Sequence, residues 1–133
     1  MNNLALTKIR DIKKMSLINL EQKFAQINQY WDPKIVATLN GQEVRIAKVK
    51  GEFVWHHHEH EDELFLVHKG RLILEFRDHS EELLAGDMYV VPKGIEHRPV
   101  APEEVELVLF EPASTLNTGQ VENEYTRRDI KKI

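Results

Sequence analysis

Four of the chain's seven histidines lie within five residues, in the segment 55–63, and acidic residues follow them. In an extended segment successive side chains point to opposite faces, so His56 and His58 share one face while His57 points away. Two neutral imidazoles on one face can occupy adjacent positions around a metal ion. The spacing therefore predicts a metal site at this segment.

Two further residues complete the predicted ligand set. Glu63 follows the histidines after a short bend and would supply a carboxylate, and His97 follows a turn at 92–94, where a strand is predicted to begin. Three imidazoles and one carboxylate suit Zn, Fe, Mn, Ni or Co, and they leave coordination positions open for water or substrate. We predict one divalent metal ion, of unspecified identity, bound by His56, His58, Glu63 and His97.

Two other interpretations of the histidine segment stay open at this point. The segment is internal and mixed with acidic residues, unlike a terminal tag, but it would also suit a solvated polar tract. His60 has the same strand parity as His56 and His58, so a His58/His60 pair is the main rival ligand assignment. Individually, His60, His68 and His79 are interpreted as surface or structural histidines.

The elements that would position these ligands are strands. From Lys34 onward apolar residues recur with a period of two, and Asn40-Gly41 is the dipeptide of a two-residue hairpin turn. The predicted strands are 35–39, 42–49, 53–58, 63–68, 71–77, 81–84, 87–91, 96–101 and 105–111. About nine short strands without an intervening helix are typical of a sandwich or barrel, so the predicted fold class is all-β.

The flanking segments have different patterns. Residues 16–29 predict a short N-terminal helix, because Leu20, Phe24 and Ile27 recur at helical spacing. Asp32 precedes a proline, which ends that pattern. The predicted organisation is an N-terminal arm at 1–15, a single barrel domain with its leading helix at 16–112, and a polar C-terminal tail at 113–133.

Composition limits the classes of partner and chemistry. The chain has 133 residues and a formal net charge of −4, with no dominant basic stripe, so we expect no nucleic-acid partner. It has no cysteine, which excludes disulfides, thiolate metal ligands and a cysteine nucleophile. No apolar run has the roughly 20 residues of a membrane span, and residues 1–15 lack the apolar region of a signal peptide. We expect no membrane partner and a cytoplasmic location.

The segment 51–70 resembles the first motif of the cupin superfamily, G-x5-H-x-H-x3,4-E-x6-G. His56 and His58 occupy the two histidine positions, and Glu63 and Gly70 follow at the family spacing. The single departure is that four residues, rather than five, separate Gly51 from His56. A His58/His60 pair would fit worse, because only two residues would then precede the glutamate.

The segment from Gly86 resembles the second cupin motif, G-x5-P-x-G-x2-H-x3-N. Pro92, Gly94 and His97 stand at the family spacing, and Ala101 occupies the position of the asparagine. That lapse affects no predicted ligand. Each glycine taken singly could be a turn residue in some other β fold. That alternative would not explain why two motifs occur in the right order, each with the family spacing.

The resemblance implies a small single-domain cupin: a double-stranded β-helix, or jelly-roll barrel, with a metal held inside one end. Cupins of this size often form dimers, so the resemblance also favours a homodimer. The fold serves many reactions, so function must be argued from the site. We expect a metal-dependent enzyme of dioxygenase or isomerase type, acting on a small polar molecule. The alternatives are a non-catalytic, metal-organised module that binds a small, sugar-like ligand, and a purely structural metal.

Several residues outside the ligand set are candidates for contacts with a substrate. A sugar-phosphate isomerase would need positively charged side chains near the metal to bind the phosphate group. The candidates for this cationic clamp are Arg45, Lys48, Arg71 and Arg98. Tyr89 and Glu75 could line the cavity or could simply be strand residues. No second catalytic motif, such as a glycine-rich phosphate loop or a nucleophile elbow, is present in the sequence.

Overall fold

The computed structural model describes residues 16–133. Within them the chain forms one short helix and seven strands, and the predicted N-terminal arm at 1–15 lies outside the described residues. In chain order the elements are α1 (Leu20–Phe24), β1 (Lys34–Leu39), β2 (Gln42–Glu52), β3 (Glu63–Lys69), β4 (Arg71–Phe76), β5 (Ser80–Leu84), β6 (Met88–Val91) and β7 (His97–Pro112). The predicted all-β class with a short N-terminal helix is confirmed.

Strand β7 closes the barrel because it changes partners along its length. Its beginning pairs with β4, from Phe76↔His97 to Ile73↔Val100. Its second half lies between β2 and β3, so that the order of the main sheet is β1-β2-β7-β3-β6. All the strand pairings are antiparallel. His97 at the start of β7 and Glu63 at the start of β3 are therefore held by a continuous hydrogen-bonded framework.

The alternating pattern sends apolar side chains of the strands into the barrel. Val67, Leu72 and Leu74 are fully buried there, together with Val105 and Ala101. A second, smaller cluster lies between α1 and the sheet and contains Phe24, Ile27, Ile46 and Val108. The helix is thus held by an apolar contact with the outside of the barrel. No helix among residues 16–133 is long and apolar enough to cross a membrane.

The helix is shorter than the predicted range 16–29. It ends at Phe24, although Ile27 beyond it is still buried. The chain turns away because Trp31 must reach the barrel, where its backbone N–H donates to Lys48 O and its Nε1 donates to Lys50 O. Trp31 has φ +58°, a conformation that no helix can contain. The helical spacing of the apolar residues correctly indicated which face of the segment is buried, but it did not indicate where the helix ends.

Two strand predictions also need correction. Residues 53–58 are not a strand and contribute only an isolated antiparallel bridge between His56 and His97. The separate strands predicted at 96–101 and 105–111 are one strand, β7. The break between them is an irregularity: Val49 pairs with Val105 but Gly51 pairs with Ala101, so residues 102–104 bulge out of the ladder.

Candidate metal centre

A two-residue backbone bridge brings the two ligand segments together. His56 N donates to His97 O at 3.1 Å, and His97 N donates to His56 O at 2.9 Å. Gly94 N donates to His58 O at 2.8 Å, and this hydrogen bond holds the backbone at His58 against the turn at 92–94. The bridge keeps the backbone around His56 extended without a full strand. The alternation on which the prediction depended therefore survives locally.

Burial follows that alternation. His56 and His58 are 2% and 3% exposed, His97 is fully buried and Glu63 is 4% exposed. The side chain of His57 is 23% exposed and points away from the cluster, towards Glu59. His60, the rival ligand, is exposed. The structure thus brings together the four predicted residues, which we call the interior cluster, and leaves His60 outside it.

The spacing of the interior cluster suits a single ion. Glu63 Oε1 lies 3.3 Å from His58 Nε2 and 3.4 Å from His97 Nε2. One ligand atom from each of the four residues lies within 4.8 Å of the others. Two ligand atoms that share a tetrahedral ion at about 2.0–2.2 Å are roughly 3.3–3.6 Å apart. Glu63 Oε1 already has that separation from the Nε2 atoms of His58 and His97.

Two backbone carbonyls fix the tautomers of two of the imidazoles. The Nδ1 atoms of His56 and His97 lie 2.9 Å from Val54 O and Ile95 O, respectively. A carbonyl oxygen only accepts hydrogen bonds, so each Nδ1 carries the proton and each Nε2 keeps its lone pair. Burial, followed by the nearby His97, lowers the pKa of His56 to about 3, so this imidazole is neutral. Neutral imidazole is the form that binds metals.

Three ligand atoms in the interior cluster have no hydrogen-bond partner. His58 Nε2, His97 Nε2 and Glu63 Oε1 are all buried and unsatisfied among the described residues. Leaving buried polar atoms without partners is costly, and native proteins rarely do so. A divalent cation between them would satisfy all three at once. The donor set of imidazole nitrogen and carboxylate oxygen therefore fits a metal such as zinc or iron.

Glu111 supports the carboxylate of Glu63 and was missed from the sequence. Burial, followed by the negative charge of Glu63, raises the pKa of Glu111 well above its usual range, so Glu111 holds a proton and donates it to Glu63. Burial raises the pKa of Glu63, but the hydrogen bond from Glu111 and the nearby His58 and His97 outweigh it and hold that pKa well below its usual range. Glu63 is therefore the ionised partner of the pair.

Arg45 holds Glu111 in place from the other side. Its Nη1 donates to Glu111 Oε1 at 3.0 Å and to Thr115 O at 2.8 Å, and its Nη2 donates to Glu43 Oε1 at 2.7 Å. The guanidinium is 2% exposed and its charge is compensated by these acceptors. Strand parity was the signal that could have found Glu111, since it is in phase with the inward-facing Val105 and Leu107.

A narrow cavity of about 50 Å³ lies beside the interior cluster. Its walls are mainly apolar, and two of its polar lining residues, His56 and Glu63, belong to the interior cluster. The lining residues are Trp31, Pro33, Arg45, Ala47, Val49, Phe53, His56, Glu63, Phe65, Pro99, Leu107, Leu109, Glu111 and Asn117.

The other candidates for substrate contact do not line this cavity. Of the four basic residues proposed as a clamp, only Arg45 does so, and the carboxylate of Glu43 already compensates its charge. Arg71 pairs with Glu82 on the surface, while Arg98 pairs with Glu75 and lies over the ring of Trp55. Tyr89, Glu75 and Lys48 are likewise absent from the lining.

The C-terminal segment packs beside the cavity and the interior cluster. Gln120 Oε1 accepts a hydrogen bond from His57 N at 2.8 Å, and Tyr125 stacks on Phe53 with the ring centroids 5.4 Å apart. Gly119 lies directly against the backbone of His57, and a Cβ at position 119 would overlap the His57 carbonyl oxygen. The segment after β7 therefore packs against the residues that present His56 and His58.

Comparison with known proteins gives consistent matches. A family model described as "Cupin domain" matches residues 37–111. A cupin-2 domain containing protein from Shewanella frigidimarina is 47% identical, with a TM-score of 0.71, and the match covers 72% of this chain and 94% of that one. Protein NMB1881 from Neisseria meningitidis is 34% identical, with a TM-score of 0.68, and the match covers 74% of this chain and 100% of that one.

A curated relative matches over a shorter stretch. The Bacillus subtilis protein YdbB is 42% identical over 64 residues, which are 47% of this chain and 57% of YdbB. The chain thus spans little more than half the length of this relative.

Proposed function

The chain belongs to the cupin domain family, and on that premise we propose that it is a metal-dependent enzyme that acts on a small molecule. In this proposal His56, His58, Glu63 and His97 hold one divalent ion. The observation that carries it is the set of three buried ligand atoms without partners, spaced 3.3–3.4 Å around Glu63 Oε1. A site with only structural polar contacts would have satisfied these atoms within the protein.

A bound divalent ion would supply Lewis-acid polarisation of a carbonyl or enediol oxygen, or redox chemistry if it is iron. The protein's own groups prepare the site for this. Glu111 keeps Glu63 ionised, so an M²⁺ ion with this one carboxylate has a net charge near +1. The carbonyls of Val54 and Ile95 hold the imidazoles of His56 and His97 with Nε2 towards the centre.

The charges around the cavity indicate the substrate class. Arg45 is the cation of the lining; the carboxylate of Glu43 already compensates its charge, and other guanidinium hydrogens are donated to Glu111 and Thr115 O. A phosphate group would therefore find no free cationic side chain in this lining. The mostly apolar walls and the polar end at the metal favour a small, uncharged, oxygen-bearing substrate over a sugar phosphate.

We also propose a homodimer. Strand β6 is an edge of the main sheet, and within residues 16–133 it pairs with β3 alone. Met88 and Val90 on this edge are 60% and 52% exposed, and Leu84 nearby is 50% exposed. An unprotected sheet edge can pair with another chain, and exposed apolar patches mark interaction sites, so a second copy of this chain could cover β6. Light scattering at tens of micromolar should give twice the mass of one chain, and a monomer would contradict the proposal.

The metal is tested by elemental analysis of the untagged protein and of single variants. His97→Ala and His56→Ala should each lower metal affinity by more than the 10–100-fold typical of losing an outer hydrogen-bond partner, because a direct bond to the ion is lost. His57→Ala and His60→Ala are the matched controls and should retain the metal. If His60→Ala removes the ion while His56→Ala does not, the ligand pair is His58 and His60.

A ligand screen with the metal restored then separates enzyme from binding module. Turnover of a captured small molecule, or oxygen consumption with iron, supports the enzyme. Capture of a sugar-like compound without turnover supports the non-catalytic module instead. Loss of metal from none of the interior variants would contradict both.

A further inference from the structure

A second group of potential metal ligands lies where α1 meets the sheet, apart from the interior cluster. Glu21 of α1, His68 of β3 and Glu106 of β7 each offer one ligand atom, and these atoms lie within 4.8 Å of one another. His68 Nε2 is 3.8 Å from Glu21 Oε2 and 3.9 Å from Glu106 Oε1. We propose that these three residues, the outer cluster, form a second divalent metal site of the zinc type that ties α1 to the barrel.

Two of the ligand atoms are buried without partners. Glu106 is only 9% exposed, and its Oε1 has no hydrogen-bond donor among the described residues. His68 Nε2 is likewise buried and without a hydrogen-bond partner. The two atoms lie 3.9 Å apart. A buried carboxylate oxygen and a buried imidazole nitrogen that face each other without a bond are better satisfied by a shared cation.

The backbone places His68 in this position through an irregularity of the sheet. Val67 pairs with Leu107 and Lys69 pairs with Glu106, so His68 is an extra residue in β3, as in a β-bulge. Bulges redirect a side chain relative to its neighbours and are frequent beside functional sites. The ring of His68 then stacks on Phe24, with centroids 5.3 Å apart and planes within 5°. This contact holds the imidazole beside α1.

Lys69 already occupies part of the space that a cation would take. Its Nζ lies 2.7 Å from Glu21 Oε1 and 4.0 Å from Glu106 Oε1. The Lys69 side chain is 54% exposed, so it can swing into solvent when an ion binds. The ammonium group therefore competes with the metal, and its removal should increase the affinity of the outer cluster.

The donor set indicates the class of ion. One imidazole nitrogen with two carboxylate oxygens suits Zn²⁺, whereas Ca²⁺ and Mg²⁺ prefer oxygen ligands alone. Three protein ligands leave a fourth position for water. The two distances from His68 Nε2, 3.8 and 3.9 Å, exceed the roughly 3.3–3.6 Å expected around a tetrahedral ion, so these two contacts would have to close by a few tenths of an ångström. Glu21 is exposed, and its rotation can supply that movement.

The test is a titration of the metal-free, full-length protein with Zn²⁺, followed by calorimetry and by competition with a chelator. Wild type should bind two ions per chain. His68→Ala and Glu106→Gln should each retain the interior ion and weaken the outer one at least tenfold. Lys69→Met, a change at an exposed position, should tighten the outer ion about fivefold, because it removes a positive charge about 4 Å away.

A matched control is His79→Ala. His79 also lies between two carboxylates, Asp78 and Glu81, but it is exposed. This variant should still bind two ions. Circular dichroism verifies that each variant is folded. If His68→Ala does not fold, Lys69→Met still tests the outer cluster.

The two metal proposals fail independently. A single ion in wild type that is lost in His97→Ala but unchanged in His68→Ala and Lys69→Met would overturn the outer site and leave the proposed function intact. A single ion that is lost in His68→Ala and kept in His97→Ala would support the outer site and contradict the interior one. Binding of no ion would overturn both.

Discussion

The interior and outer clusters contain the same kinds of ligand but differ in how the protein holds them. In the interior cluster all four residues are buried, and Glu63 Oε1 is already 3.3 and 3.4 Å from two imidazole nitrogens. In the outer cluster the His68 nitrogen is 3.8 and 3.9 Å from its carboxylates. Glu21, moreover, is exposed and paired with Lys69.

This difference between the two clusters shows that the ligand side chains are held in position by neighbouring groups that are not themselves ligands. Two of the three interior imidazoles, His56 and His97, are oriented by backbone carbonyls, and Glu63 is held by Glu111 and, through it, Arg45. The outer ligands have one stacked ring and a five-residue helix to hold them. We therefore expect distant changes to alter the interior site strongly, whereas the outer site should respond mainly to the stability of α1.

The largest effect should come from Glu111→Leu. This change removes the donor to Glu63 and leaves Arg45 with Glu43 as its only carboxylate partner, at a cost of about 3 kcal/mol in the free energy of unfolding. Metal affinity of the interior cluster should fall about 10–100-fold, as for other partners of a metal ligand. The outer cluster should be unaffected. Denaturant unfolding and metal competition measure the two effects.

Glu111→Gln is the matched control for that change. Its amide can donate to Glu63 while its oxygen accepts from Arg45, so both contacts are retained. We expect the interior affinity to stay within a few-fold of wild type. Equal losses of interior metal affinity in Glu111→Leu and Glu111→Gln would show that the hydrogen bond from residue 111 to Glu63 does not support metal binding.

Gly119→Ala should have the next largest effect. The added Cβ would overlap the carbonyl oxygen of His57 and approach His56 Cδ2 to 3.3 Å, and φ at this position is +58°. Backbone strain and overpacking together should cost about 2–4 kcal/mol in unfolding free energy. Metal affinity should fall at the interior cluster alone, because the segment that presents His56 must shift.

Gly41→Ala separates strain from overlap. Gly41 also has a positive φ, +77°, but no atom lies within 4 Å of a Cβ there. It should lose about 1–2 kcal/mol and keep its metal affinity. If Gly119→Ala binds metal as tightly as Gly41→Ala does, the C-terminal segment does not support the interior site.

The sequence predicted the interior cluster better than its surroundings, for physical reasons. The parity of His56 and His58 is local, and a single bridge to His97 keeps that backbone extended. Glu111 and Gly119 act across long sequence separations, so no local pattern shows their partners. The helix was predicted too long because spacing reports the buried face of a segment, whereas its end is set by the distant contacts of Trp31.

The outer cluster was not predicted from the sequence, for a related reason. His68, Glu21 and Glu106 lie on three elements that only the fold brings together. His68 taken alone was interpreted as a surface or structural histidine, and its bulge in β3 has no distinct sequence pattern. A metal site whose ligands are scattered along the chain gives no motif.

The smallest effect is expected for Asn19→Ala, and it tests whether the two sites are independent. Asn19 caps α1, and its side chain accepts a hydrogen bond from Gln22 N at 2.9 Å. Loss of an N-cap costs about 1 kcal/mol, which would fray the helix that presents Glu21 and weaken Zn²⁺ binding at the outer cluster about fivefold. Asn19→Asp retains the capping oxygen and should bind as wild type does. Interior affinity should be the same in both variants. A matching loss at the interior cluster would show that α1 stabilises the whole barrel, and the contrast drawn between the two sites would then be wrong.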